Sequence, residues 1–359
     1  MMHKKMSAAQ RFQSLLWPLA CLYDLVMSLR NAAFNRGWLP SQRFPCATIA
    51  IGNLAVGGTG KTPHAEYLLR LLSPQHRVAL LSRGYGRRTH GFVMANAEST
   101  ASDIGDEPLQ MQRKFPQVQV AVDEKRCEGM EAKRLEVVVL DDAYQHRYVC
   151  AGLYILLTDF SRLYVNDFVL PAGRLRESKR GARRAQIVIV TKCPEGLNEA
   201  QRSDIRQRLR LSPSQKLFFT TFRYGERRPL FAEGKQCATS GSVLALTGIA
   251  RPEPLYEHLR REQFQVTPLR FPDHHAFTPS SIALMNRTFS DMPEDTMVVT
   301  TEKDAARLRS IANQLSPSLR RQLLVQPIEV AFLEEDGKPT EELFTQIINN
   351  YVTSNQTNG

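Results

Sequence analysis

Two short segments of this chain carry residues whose types and order suit phosphate chemistry. The first is Val56-Gly57-Gly58-Thr59-Gly60-Lys61-Thr62, preceded by an apolar run from Cys46 to Ile51 and followed by a helical pattern from Thr62 to Leu72. Glycines let main-chain N–H groups turn toward an anion, a lysine reaches β- and γ-phosphates, and a threonine hydroxyl ligates Mg²⁺. The helix N-terminus behind such a loop adds its positive end. A G-x-x-x-x-G-K-[ST] template puts its first glycine at position 55, where this chain has Ala55. The loop therefore reads as a V-G-G-T-G-K-T variant, and Val56 through Thr62 are the candidate ATP-binding residues.

The second segment is Glu136 to Ala143, EVVVLDDA. Apolar residues followed by paired aspartates have the shape of a Walker B strand, whose carboxylate holds Mg²⁺ beside the loop threonine. Thr62, Asp141 and Asp142 form the candidate metal set. Other segments are suggestive. Ser82-Arg83-Gly84-Tyr85-Gly86-Arg87 lies just past an apolar run, where parallel sheets place their ligand crevice. Asp106, in Gly105-Asp106-Glu107-Pro108, reads from the residues alone as a helix N-cap. Leu170 to Arg184 concentrates Arg174, Arg176, Lys179, Arg180, Arg183 and Arg184, either a solvated run or a seat for a second anionic group. Asp273-His274-His275 invites either a metal or an acid–histidine pairing. No second His/Cys cluster has matching spacing, so zinc is not expected.

These residues need a scaffold. With 359 residues the chain is long enough for about two domains. Basic residues number 47 against 36 acidic, a net charge of +11, which points to an anionic partner or an acidic membrane surface. Six scattered cysteines lack C-x-x-C spacing and read as reduced thiols. Strand and helix patterns alternate in two blocks, predicting two α/β/α domains with mainly parallel sheets. The expected partition is residues 1–36 as an N-terminal helix, 37–215 as the phosphate domain, 216–236 as a β-hairpin connector, 237–352 as a second α/β domain, and 353–359 as a disordered tail. The first helix carries Leu15, Leu16, Leu19, Leu22, Val26 and Leu29 with flanking arginines. It suits a membrane surface or a packed face, and is too short and broken to span a bilayer.

Two function classes fit the residues. One is an ATP-dependent kinase for an anionic small or lipid acceptor. The other is a P-loop GTPase or ATPase acting as a switch or nucleic-acid motor. A switch GTPase needs an N-K-x-D motif, and the nearest segment is Thr191-Lys192-Cys193-Pro194. Aromatic residues do not interleave with the basic run, as nucleic-acid stacking would require. The kinase is favoured.

Taken together, these motifs resemble the tetraacyldisaccharide 4′-kinase family, the lipid A 4′-kinases of lipopolysaccharide biosynthesis. The likeness runs through Gly52-Asn53-Leu54, Val56 to Pro63, Ser82 to Gly86, Gly105 to Pro108, Asp141 to Arg147, Pro171 to Glu177, Thr191-Lys192, Leu246 to Ala250, Asp273 to His275 and Thr300 to Asp304. The family more often has Gly-Phe where this chain has Ala143-Tyr144, and Thr where it has Ala55. The resemblance implies a P-loop NTPase-like N-terminal domain. It also implies transfer of the γ-phosphate of ATP, with Mg²⁺, to the 4′-hydroxyl of a disaccharide 1-phosphate lipid, giving lipid IVA. The reaction would take place peripherally at the cytoplasmic face of the inner membrane, with no nucleic acid and no zinc involved. It implies Asp106 as catalytic base paired with His274, and Tyr85, Arg126, Arg176 and Glu177 as further active-site residues.

Overall fold

The computed structural model describes residues 15–130, 135–234, 241–273 and 275–356. Apolar runs ending in glycine or charged turns form its strands: β1 (Ala47–Asn53), β2 (Val78–Ser82), β3 (Val93–Met94), β4 (Gln119–Val122), β5 (Val137–Leu140), β6 (Leu153–Asp159) and β7 (Ile187–Thr191). Then come β8 (Lys216–Tyr224), β9 (Arg228–Pro229), β10 (Gly241–Thr247), β11 (Phe264–Arg270), β12 (Met297–Thr301), β13 (Leu323–Gln326) and β14 (Ile328–Phe332). Among the described residues they make a nine-stranded sheet, ordered β14-β8-β7-β6-β1-β5-β2-β4-β3, and a five-stranded sheet, ordered β11-β10-β12-β13-β9. Among the described residues, the antiparallel strand pairs lie at the edges, β3 on β4, β14 on β8 and β9 on β13.

Strand β1 is fully buried between β5 and β6, in parallel register with both. That register brings the ends of β1 and β5, and so Asn53 and Asp141, to one edge of the sheet, where ligand crevices form. Helices Lys61–Leu72 and Thr340–Gln356 cover one face, burying Leu68, Leu69, Phe344, Ile348 and Val352 against Ile49, Ile155 and Phe218. Helix Glu199–Leu209 covers the other, with Ile205 and Leu209 against Val188 and Phe219. The second sheet is sandwiched likewise, by Leu255 and Leu259 on one side and Ile282, Met285 and Leu308 on the other.

The expected hairpin connector does not form. Strand β8 buries Phe218 and Phe219 and pairs with β7 and β14, leaving no edge for β9, which joins β13 in the other sheet. Residues 323–330 read in the sequence as one strand, and that run divides at Pro327, with β13 in one sheet and β14 in the other. The link between domains is thus a two-stranded crossing of segments distant in sequence, tied by the Gly225 N–H on the Pro327 carbonyl (3.0 Å) and Gln326 Nε2 on the Gly225 carbonyl (2.6 Å). Helix Thr340–Gln356, expected with the second block, packs on the first sheet, and its Tyr351 hydroxyl bonds both the N–H and the carbonyl of Thr48 at 2.9 and 3.0 Å. Its apolar face complements the first core, and it carries the chain through 353–356 as helix; residues 357–359 lie outside the described residues.

The domains also meet directly. Helix Asp106–Lys114 packs on helix Glu302–Ser310, with Arg113 Nη1 donating to the Ala306 carbonyl at 3.1 Å and Lys114 Nζ 2.7 Å from Glu302.

Candidate active site

The glycine loop leaves β1 and turns into helix Lys61–Leu72 at Gly60, whose φ is +86°. A Cβ there would lie 2.5 Å from the Phe222 ring, so backbone angle and close packing both call for glycine. The loop is held from outside. Segment 174–176 pairs with its first half, through the Val56 N–H on the Arg174 carbonyl (2.8 Å) and the Arg176 N–H on the Leu54 carbonyl (2.7 Å). Lys192, just past β7, ties Gly58 to Asp159, donating to both.

Lys61 Nζ stands 3.5 Å from Asn53 Oδ1 and 3.6 Å from Asp142 Oδ1. Arg176 Nη1 reaches both Asp142 oxygens at 3.0 and 3.1 Å, and the buried Arg126 donates to the main-chain carbonyls of Asp141 and Asp142 at 3.0 and 3.2 Å. Burial raises the Asp142 carboxyl, but Lys61 and Arg176 outweigh it and hold it below the usual carboxylate range. Asp141 is the reverse case. It is 3% exposed, and its Oδ1 has no hydrogen-bond partner. Burial, reinforced by Glu107 and Asp142, pushes it up to about 7 despite Lys61 and Arg126.

That arrangement fits a hard divalent cation. An unpartnered buried carboxylate oxygen lies beside a second carboxylate, and Thr59 Oγ1 in the loop is also buried without a partner. Among the described residues no three His, Cys, Asp or Glu side chains converge as a metal set. The remaining oxygens would come from the Thr62 hydroxyl, phosphates and water, the usual company of Mg²⁺ in phosphate enzymes.

Comparisons with known proteins show the family. Residues 12–349 match the family described as tetraacyldisaccharide-1-P 4′-kinase. A tetraacyldisaccharide 4′-kinase from Bacteroides thetaiotaomicron is 45% identical over 362 residues, spanning 96% of this chain and 94% of its own. One from Bacteroides fragilis is 46% identical over 363 residues, with coverage of 96% and 94%. A crystal structure of LpxK from Aquifex aeolicus in complex with ATP is similar at a TM-score of 0.71 and 26% identity, over 95% of this chain and 99% of that one. This chain belongs to the tetraacyldisaccharide 4′-kinase family.

Against the family pattern, the substitution at 143 is accommodated simply. The left-handed residue of the turn is Asp142, φ +45°, so position 143 accepts a Cβ, and Tyr144 is buried with its hydroxyl on the Gly181 carbonyl at 2.8 Å. Asp106 opens helix Asp106–Lys114, behind Gly105 at φ +90°. A Cβ on Gly105 would lie 2.8 Å from the Tyr85 carbonyl, so this glycine lets the Tyr85 loop come up against the start of that helix; the Tyr85 side chain is 81% exposed. His274 lies outside the described residues. Its neighbour His275 is engaged elsewhere, stacked on Phe271 with Nε2 2.7 Å from Ser281 Oγ. Asp273 is anchored 3.4 Å from Lys303, on the same helix that packs against the one led by Asp106.

Glu177 is 1% exposed. Its carboxylate accepts from Asn31, Gln145 and both terminal nitrogens of Arg184. The basic run thus divides: Arg176 and Arg184 face inward, while Arg174, Lys179, Arg180 and Arg183 are exposed. Sequence reasoning assigned no role to Asn53, Gln145 or Glu107. Gln145 Nε2 bridges the Asn53 carbonyl (2.9 Å) and Glu177 (3.0 Å), and the position of these residues inside the quoted motifs was the available signal.

Proposed function

We propose that this chain transfers the γ-phosphate of ATP to the 4′-hydroxyl of a tetraacyldisaccharide 1-phosphate, a lipid A precursor, with Asp106 as general base. The observation that carries the reading is Lys61, at the end of the glycine loop, facing the Asp141–Asp142 pair with Arg176 on its far side. The acceptor oxygen forms a bond to the γ-phosphorus as the bond to the β,γ-bridging oxygen breaks. ADP leaves, and the hydroxyl proton passes to Asp106. Loop N–H groups and Lys61 hold the phosphates; Arg176 and Arg126 fix the aspartates and supply positive charge close to the transferred group. Bound Mg²⁺, held by Thr62 with Asp141 or Asp142, would neutralise charge on the phosphate oxygens. His274 would pair with Asp106, and the exposed Tyr85 borders the acceptor side.

The acceptor is an anionic lipid, and the first helix supports a peripheral site on the inner membrane's cytoplasmic face. On helix Trp17–Asn35, Leu19, Leu22, Leu25, Val26 and Leu29 are each more than half exposed, a contiguous apolar row facing outward. No helix among the described residues is long and apolar enough to cross a membrane.

The test is transfer of labelled γ-phosphate from ATP to the disaccharide 1-phosphate in detergent, with and without EDTA. Label in a bis-phosphorylated lipid, abolished by EDTA, is expected. ATP hydrolysis without lipid labelling would overturn the reading. Cosedimentation with anionic vesicles should fall when residues 1–36 are removed, and full retention would sink the membrane role.

A further inference from the structure

The helix that presents the outward apolar row buries Ala20 and Phe34 on its inner side and is hydrogen-bonded from that side to the site. The Tyr23 hydroxyl donates to the Arg176 carbonyl at 2.8 Å, and Asn31 Nδ2 to Glu177 Oε2 at 2.8 Å. Arg30 donates to the Gln145 carbonyl at 3.3 Å, while Arg147 returns bonds to the Asn31 carbonyl and Asn35 Oδ1, each at 2.8 Å. These contacts fall on the two loops that carry the charged side chains around Asp142.

The consequence is clearest at Arg176. Its loop, between β6 and the short 3₁₀ turn Lys179–Arg184, has little regular structure of its own. Its N–H is fixed to Leu54, just before the glycine loop, and its carbonyl to Tyr23 on the helix. One residue on, Glu177 gathers Asn31 from the helix, Gln145 from the Walker B turn and Arg184 from the 3₁₀ turn. Residue 176 is therefore clamped between the phosphate loop and the N-terminal helix, and its guanidinium is aimed at Asp142 from that clamp.

We propose that Tyr23 and Asn31 are positioning residues for phosphoryl transfer, fixing Arg176 and Glu177 so that the membrane-facing helix also sets the geometry at Asp142. This rests on the kinase reading above and on the place of Arg176 in it. Both residues act through Arg176 and Glu177. Misplacing a charge-stabilising side chain by a fraction of an ångström acts on the transition state more than on ground-state binding, so the effect belongs in kcat.

The experiment is steady-state kinetics of the full chain in detergent mixed micelles, where vesicle docking plays no part. It compares wild type, Tyr23→Phe, Asn31→Ala, Asn31→Asp and Arg176→Ala. Asn31→Ala is expected to lower kcat about tenfold and Tyr23→Phe about threefold, with the KM for ATP and the melting temperature near wild type. Asn31→Asp keeps the shape but sets a carboxylate against Glu177, and should lose more than Asn31→Ala. Wild-type kcat in the Tyr23 and Asn31 variants, with Arg176→Ala inactive, overturns the positioning role alone. Wild-type turnover in Arg176→Ala removes the site reading beneath it. A kcat loss confined to variants with lowered melting temperature also overturns the role; should the Asn31 variants fold poorly, Tyr23→Phe, which deletes one hydroxyl, decides.

Discussion

Asp141 and Asp304 both lie just past a parallel strand, Asp141 directly after β5 and Asp304 in the first turn of the helix that follows β12. Both strands are central in their sheets, and the two aspartates are 3% and 0% exposed. Burial raises both carboxyls above the usual carboxylate range. Their surroundings differ. Asp304 accepts from the Gly248 N–H at 3.0 Å, the Thr301 hydroxyl at 2.8 Å and Arg307 at 2.5 Å. Asp141 keeps an oxygen without any partner and faces a second carboxylate. The same architecture therefore builds a finished carboxylate that staples the second domain and an open one beside the glycine loop. A buried charge that is fully paired is scaffold; one left open is kept so for a cation or substrate to complete.

The sharpest way to break this contrast is at the open end. Lys61→Ala and Asp141→Asn should each lower phosphate transfer about a thousandfold or more, with circular dichroism unchanged. Near wild-type turnover in Asp141→Asn would end the metal-site reading. Asp106→Ala, on the helix at the seam between the domains, should lose about a hundredfold or more in kcat, the range for a lost general base.

At the closed end the expected damage is to stability. Asp304→Ala leaves Arg307 buried and uncompensated, so chemical denaturation should show a loss of about 3 kcal/mol. Turnover of the molecules that remain folded should change far less than in Asp141→Asn; a loss of activity without loss of stability would erase the distinction.

The smallest effect concerns His64, behind the glycine loop. Its ring nitrogens lie 2.8 Å from the Gly60 carbonyl and 3.0 Å from Thr220 Oγ1. Burial pulls it down to about 4, only partly opposed by the Gly60 carbonyl. Between about 4 and the ordinary 6.5 the unfolded chain binds the extra proton, so stability held above 6.5 is lost as pH falls toward 4. Urea midpoints measured at about pH 7 and about pH 4.5 should differ less in His64→Gln than in wild type.

Much of the candidate site was legible because it is written locally. The loop from Val56 to Thr62 and the EVVVLDDA run each hold strand, turn and charge within a dozen or so residues, and both lie where that order requires. The alternation of apolar runs and helical patterns likewise gave two parallel α/β layers. The division of Leu323–Val330 at Pro327 was not legible, because the run is apolar and extended on both sides and only the sheets decide which strand each half joins. The same holds for the partners of Glu177, which arrive from positions 31, 145 and 184.

By itself the sequence determined the phosphate chemistry, the order of strands and helices and the family likeness, since these depend on side-chain type and on periods of a few residues. The tertiary structure decided which polar atoms are satisfied. Glu177 is closed by Asn31 across 146 positions and Thr48 by Tyr351 across 303, while Asp141 stays open. It also decided that the first helix turns its apolar row outward, because the side carrying Tyr23 and Asn31 is the one the 176–177 loop can hydrogen-bond. Satisfaction and exposure are properties of what arrives from elsewhere in the chain, and no local pattern records them.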